Sequence, residues 1–201
     1  MSVDAILKGY ADAADDQIAR AEAIDPAGLL SPVHAFLTPG PARVLDVGAG
    51  AGTNAAWLAG RGSSVLAVEP VAALREAGAR RSGPAVRWMD DRLPALETVS
   101  AMGQRFDRVL LSAVWQHLDA PDRRIALPTL AGLLADDGLL ILSLRHGAGA
   151  ASRQVFPCTA DETIALGQAS GLSLKHREAR PSVQAENIAN GVNWTWLVLG
   201  R

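Results

Sequence analysis

The stretch 44–59, VLDVGAGAGTNAAWLA, decides the fold. It reads as an apolar strand ending near an aspartate, then glycines at 48, 50 and 52, then the opening turns of a helix. A glycine loop between strand and helix brings backbone N–H groups against a ligand, because no Cβ holds the chain away and positive φ costs little. Gly50-Ala51-Gly52-Thr53-Asn54-Ala55 satisfies the dinucleotide fingerprint G-x-G-x-x-G/A. The register Gly48-x-Gly50-x-Gly52 behind Asp46 points instead to a different nucleoside. The flanking sequence has to choose.

Working outward, apolar strand-length runs recur at 64–70, 85–90 and 105–114, and 136–146 reads as a turn and a fifth strand. Helical stretches at 53–62, 72–81 and 122–135 separate them; the last carries Pro128 and is expected to kink or split there. Upstream, Ile6, Leu7, Tyr10, Ala14, Ile18 and Ala21 predict one amphipathic helix over 3–23. Asp25-Pro26 ends it, a shorter segment covers 29–37, and Thr38-Pro39-Gly40-Pro41 makes a turn. Downstream, Thr159 and Glu162 have capping-box spacing ahead of a helix at 160–170. The segments 172–180 and 192–200 alternate apolar and polar residues, which suits antiparallel pairing. Strands alternating with helices imply a parallel α/β sheet with right-handed crossovers, whose ligand lies outside the carboxyl ends of the strands.

With 201 residues, no internal repeat and no linker, the chain is expected to form a single domain. Apolar residues make up 49% and charged residues 20%, ordinary for a folded soluble protein. A net charge of −2 and a pI of about 6.1 argue against a nucleic-acid surface. The basic residues are almost all arginine, Lys8 and Lys175 excepted, and alanine is abundant, the bias of a GC-rich bacterial genome. One cysteine, Cys158, excludes an internal disulfide and argues against a thiolate metal site; it reads as an idle thiol rather than a nucleophile. His34 and His176 show no metal-ligand spacing with carboxylates, so no metal is expected. Neither a signal peptide nor a membrane-length apolar run is present, which predicts a cytoplasmic protein.

Glu69, closing the second strand, can accept hydrogen bonds from a ribose diol, each worth about 1.5–3 kcal/mol. That device serves dinucleotides and other nucleosides alike. Asp46 separates them: a carboxylate beside a pyrophosphate is unfavourable, whereas a ligand carrying an ammonium group welcomes it. VLDVGAGAG with Glu69 ending the next strand resembles motif I and its acidic partner in the class I S-adenosylmethionine-dependent methyltransferases. RWMDDRLPAL (87–96), FDRVLLSAVWQHL (106–118) and LAGLLADDGLLILSL (130–144) resemble the later segments of that family, in the same order. The likeness spans roughly residues 40–200.

The resemblance implies a Rossmann-like α/β fold, a seven-stranded sheet of order 3-2-1-4-5-7-6 with strand 7 antiparallel. It also implies a helical lid over residues 1–40 on a core of 41–201, and S-adenosylmethionine as cofactor with S-adenosylhomocysteine as product. Asp46 would hold the aminocarboxypropyl end, and Gly48, Gly50 and Gly52 would give backbone access. Glu69 would bind the ribose, with Pro70 and Val71 near the adenine. Asp91, or Asp90, would receive the adenine amino group, and the Arg92 N–H a ring nitrogen. Ser112 would lie near the methionine portion. The fourth-strand segment lacks the Asn/Asp-Pro-Pro-aromatic tetrad of enzymes that methylate nucleic-acid bases or protein glutamine.

Methyl transfer needs chiefly alignment of nucleophile and methyl, and a base only if the acceptor keeps its proton until attack. His117 and His146 are the candidate bases; the alternative for His117 is a hydrogen bond that orders its loop, and for His146 plain exposure to solvent at the sheet edge. Arg145, at the strand-5 edge in LRHG, offers a planar fork for an anion, which Arg153 could join. Tyr10 on the lid and Trp115 after strand 4 are candidate acceptor contacts or packing residues. Trp194 and Trp196, on one face of the last strand, read as core or dimer contacts in preference to substrate stacking. The expected function is methylation of a small molecule, an anionic one suiting Arg145, at O, N or C, by a monomer or homodimer. The alternatives are a protein or RNA methyltransferase, or a regulator that binds the cofactor without catalysis.

Overall fold

The computed structural model describes residues 3–37, 39–149 and 153–201. Thr38 of the predicted turn, and residues 150–152 beyond the fifth strand, lie outside that set. Two helices, α1 (Val3–Asp12) and α2 (Ala14–Ala23), stand where one was expected. Ala13, with φ −110° and ψ 22°, breaks the ladder between them. The short α3 (Pro26–Leu29) is capped by Asp25, whose carboxylate accepts from the Ala27 and Gly28 N–H groups, and a 3-10 turn follows at Ser31–Phe36.

The core alternates as predicted: β1 (Arg43–Val47), α4 (Thr53–Gly60), β2 (Ser64–Val68), α5 (Ala72–Ser82), β3 (Val86–Met89). A short α6 (Glu97–Ala101), which no periodicity announced, precedes β4 (Phe106–Leu111). Next comes α7 (Ala120–Gly132), which runs through Pro128 without interruption, so the expected split does not occur. In β5 (Leu134–His146) the predicted turn at Asp136-Asp137-Gly138 is a bulge inside the strand, where Phe106 pairs with Leu134 but Arg108 with Leu139. The chain closes with α8 (Ala160–Ala169), β6 (Ser173–Pro181), a further short helix α9 (Ala185–Ala189) and β7 (Asn193–Gly200). The Thr159–Glu162 capping box is present at the start of α8.

The seven strands lie in the order β3-β2-β1-β4-β5-β7-β6, the first five parallel and β7 antiparallel to both its neighbours. Central strands are apolar on both faces because both are covered. Leu45, Val47, Val109, Leu111, Leu142 and Leu144 enter one core layer; Val44, Leu110, Ile141, Trp196 and Val198 enter the other. Asp46 and Ser143 therefore share the second face, and His146 shares Leu144's. Strand order reverses between β1 and β4, and the crevice at their carboxyl ends is the place a ligand takes in such a sheet. Among the described residues no helix is long and apolar enough to cross a membrane.

Candidate active site

A cavity of about 440 Å³ opens at that crevice, roofed by α1 and α2, and its size suits a small-molecule ligand. Its floor is the β1–α4 loop. Gly48, Gly50 and Gly52 all take positive φ, at 67°, 55° and 80°, but for different reasons. A Cβ on Gly48 would stand 2.6 Å from Val114 Cγ2, and one on Gly52 would press on Trp88 and on Gly78 of α5. One on Gly50 would meet nothing within 4 Å. Gly48 and Gly50 border the cavity; Gly52 does not, and serves helix packing rather than ligand access.

Glu69 lies in the cavity wall with both oxygens engaged: the Gly50 N–H donates to Oε2 at 2.8 Å and the Val71 N–H to Oε1 at 2.9 Å. Burial raises its pKa, opposed by those two donors and by Arg75. Asp46 sits beneath the loop, 1% exposed, and its Oδ2 has no hydrogen-bond partner among the described residues. Burial, reinforced by the charge on Glu69, pushes its pKa up to about 7. A buried carboxylate without a donor is costly unless a cation or proton satisfies it.

Beyond β2, Pro70 and Val71 line the wall, as do Asp91 and Arg92. Asp91 Oδ1 accepts from the Arg92 N–H at 2.8 Å and Oδ2 from the Val99 N–H at 2.9 Å, so the carboxylate organises the β3–α6 loop. The Arg92 N–H is thereby engaged, and its guanidinium pairs with Asp4 on α1 at 2.7 Å. Asp90 points away from the cavity to an ion pair with Arg75, which leaves Asp91 as the acid that borders the cavity.

Across the sheet, Ser112 and Ala113 follow β4 into the wall. Ala113 holds φ at 60°, unusual without glycine, with its N–H donating to Ser143 Oγ (2.8 Å) and its carbonyl accepting from Gln116 Nε2 (2.6 Å). His117 also borders the cavity. Its Nδ1 meets the Gln154 carbonyl at 2.9 Å, and its Nε2 meets the Tyr10 hydroxyl of α1 at 2.7 Å. A carbonyl only accepts, so Nδ1 carries the proton and Nε2 receives one from Tyr10. Burial, helped by Arg153 and Arg145, lowers the His117 pKa against the pull of the Gln154 carbonyl, and burial raises that of Tyr10. Arg153 lies over the Tyr10 ring, 4.9 Å from its centroid.

Three predicted roles are corrected. Trp115 is fully buried, its indole N–H donating to Thr163 of α8, and it packs the core instead of touching an acceptor. His146 faces the opposite side of the sheet from Ser143, bonded to Thr195 Oγ1 at 2.8 Å, and is off the cavity. Arg145 is occupied by the Ala148 carbonyl and Asn187 Oδ1 and stacks over Trp194, so it is not a free fork. Trp194 and Trp196, by contrast, both border the cavity. Their alternation signalled a buried face without saying what that face meets. Leu29, Pro32 and Val183 complete an apolar end to the cavity and carried no signal in the sequence.

Residues 44–138 match the sequence profile of the methyltransferase domain family. No curated protein matches the chain. Among solved structures, a 1,6-didemethyltoxoflavin N1-methyltransferase from Burkholderia thailandensis, with bound substrate and S-adenosylhomocysteine, superposes with TM-score 0.77 at 22% identity. The match covers 98% of this chain and 88% of that one. The magnesium protoporphyrin IX methyltransferase of Synechocystis, with bound S-adenosylmethionine, gives 0.64 at 18% identity over 96% and 80% of the two chains. The cyclase SpnF gives 0.66 at 15% identity, over 88% and 80%.

Proposed function

We propose that this chain, whose residues 44–138 match a methyltransferase domain and whose sheet has the class I strand order, transfers the methyl group of S-adenosylmethionine to a small-molecule acceptor. The carrying observation is Asp46, a buried carboxylate oxygen with no donor, beneath a glycine loop that leaves open space at Gly50. The residues present fit this cofactor. Asp46 lies just behind Val47 and Gly48, which border the cavity, and would attract the ammonium group directly or through water; the ribose hydroxyls can donate to the lone pairs that Gly50 and Val71 leave on Glu69. Pro70, Val71 and the backbone near Asp91 would flank the adenine. Gly48, Gly50 and Ser112 would border the methionine portion.

Bound there, the cofactor supplies an electrophilic methyl on a positively charged sulfur. The chain's own contribution is to exclude water and hold the acceptor in line with that methyl, which is worth up to ~7–11 kcal/mol of barrier. A cavity of this size suits small substrates, and the two neighbouring methyltransferases named above act on small molecules by their names. A cytoplasmic location and action by a monomer or homodimer belong to the same reading. The likeness to SpnF favours a second reading, a different reaction on the same fold.

Calorimetry tests the first reading: S-adenosylhomocysteine should bind, and Glu69→Ala should weaken it about tenfold to a hundredfold. Binding of NADH in its place overturns it. Release of S-adenosylhomocysteine from S-adenosylmethionine in the presence of a metabolite pool, with the methyl recovered in a small product, separates methyl transfer from the second reading.

A further inference from the structure

Resting on the methyl-transfer reading, we propose that His117 and Tyr10 form a proton relay, so that the acceptor is a molecule whose methylated atom still carries a proton, an aromatic hydroxyl or ring N–H. The relay joins residues 107 positions apart: the Tyr10 hydroxyl on α1 and His117 Nε2 in the β4–α7 loop, 2.7 Å from each other, both bordering the cavity. Its direction is set from behind. The Gln154 carbonyl holds the proton on Nδ1, leaving the Nε2 lone pair as the basic site. That carbonyl is itself fixed, since the Phe156 N–H donates to the Gln116 carbonyl at 2.7 Å and Arg123 grips the Phe156 and Pro157 carbonyls. The Gln116 amide nitrogen also approaches Nε2, at 3.3 Å, but the Tyr10 hydroxyl is the nearer partner at 2.7 Å and the one that borders the cavity.

The step balances. The acceptor's lone pair forms the new bond to the methyl carbon as the carbon–sulfur bond breaks, and the sulfur keeps that bonding pair. The acceptor's proton passes to the Tyr10 oxygen while the Tyr10 proton passes to His117 Nε2. Tyr10 ends as a neutral phenol and His117 as an imidazolium. One positive charge leaves the sulfur and one arrives on His117, so the cavity never gains net charge. The charged groups facing the pair are Arg145 from β5 and Arg153 from the segment after it; across the cavity stands Glu69. Burial first, and then the two arginines, hold the His117 pKa below its ordinary value, which favours the neutral, proton-accepting imidazole. The apolar end of the cavity, with Trp194, Trp196 and Pro32, suits the flat body of such an acceptor.

The full chain, its Tyr10→Phe variant and its His117→Gln variant are compared with 4-nitrophenol and benzotriazole as the proton-bearing probes. Near pH 6, wild type saturated with S-adenosylhomocysteine should ionise bound 4-nitrophenol, read as phenolate absorbance, and both variants should not. With S-adenosylmethionine, methyl transfer to the probes should fall about 100-fold in His117→Gln, with loss of the acid limb of the rate profile. S-adenosylhomocysteine binding should stay within about threefold in both variants, which shows that they fold and keep the cofactor site. Equal phenolate signal in His117→Gln, or no binding of either probe to a protein that binds S-adenosylhomocysteine, overturns the relay. If wild type does not bind S-adenosylhomocysteine at all, the methyl-transfer reading fails instead.

Discussion

Asp46 carries a carboxyl group whose ionised form burial makes costly. Its pKa is raised to about 7 against an ordinary 3.8, so between those values the folded chain binds more protons than the unfolded chain. Stability therefore falls as pH rises through that window, by a few kcal/mol if the whole shift is realised. Chemical denaturation should find the ligand-free protein less stable at about pH 8 than at about pH 5. Asp46→Asn should flatten that slope and also weaken S-adenosylhomocysteine binding; an unchanged slope would sink the assignment of the shift. At Gly50 the backbone has φ 55° with open space where a Cβ would stand. Gly50→Ala should cost only about 1 kcal/mol of stability, because the strain is conformational, yet reduce S-adenosylhomocysteine affinity by about tenfold as the methyl enters ligand space. Equal losses in melting and in binding would contradict that division.

At the scale of elements, a tryptophan of the β4–α7 loop contrasts with one on β7. Trp115 faces inward at 0% exposure, while Trp194 on β7 borders the cavity and remains partly exposed. Trp115→Ala should destabilise the fold by about 3–5 kcal/mol, and Trp194→Ala should leave the melting temperature nearly unchanged while weakening the acceptor. Denaturant titration of the pair checks this, and similar midpoints would refute it. Thr159 is a milder case: its hydroxyl accepts from the Glu162 N–H, and Thr159→Ala should cost about 1 kcal/mol. The element pattern itself was legible in the sequence because strand and helix periods are local. What escaped were α6, α9, the break at Ala13 and the uninterrupted passage of α7 through Pro128, where neighbouring packing overrides or outlasts a short local signal.

For the whole molecule, we propose a single cooperative unit in which the lid belongs to the core. Thr53 Oγ donates to the Ala21 carbonyl, Arg92 pairs with Asp4, Arg20 with Glu186, and Tyr10 reaches His117. Scanning calorimetry should accordingly show one transition, and two resolved transitions would assign the lid to a separate unit. By itself the sequence determined the alternation of strands and helices, the glycine loop after β1, and the placement of Asp46 and Glu69 at the ends of adjacent strands. All of these rest on spacings of a few residues, which local chemistry enforces. Only the tertiary structure decided which distant residues share the cavity. A one-residue step along β5 separates Ser143's face from Leu144's and sends His146 away from the cavity. Tyr10, His117 and Trp194 come together through the crossovers and the sheet order, and no local period records a contact made across most of the chain's length.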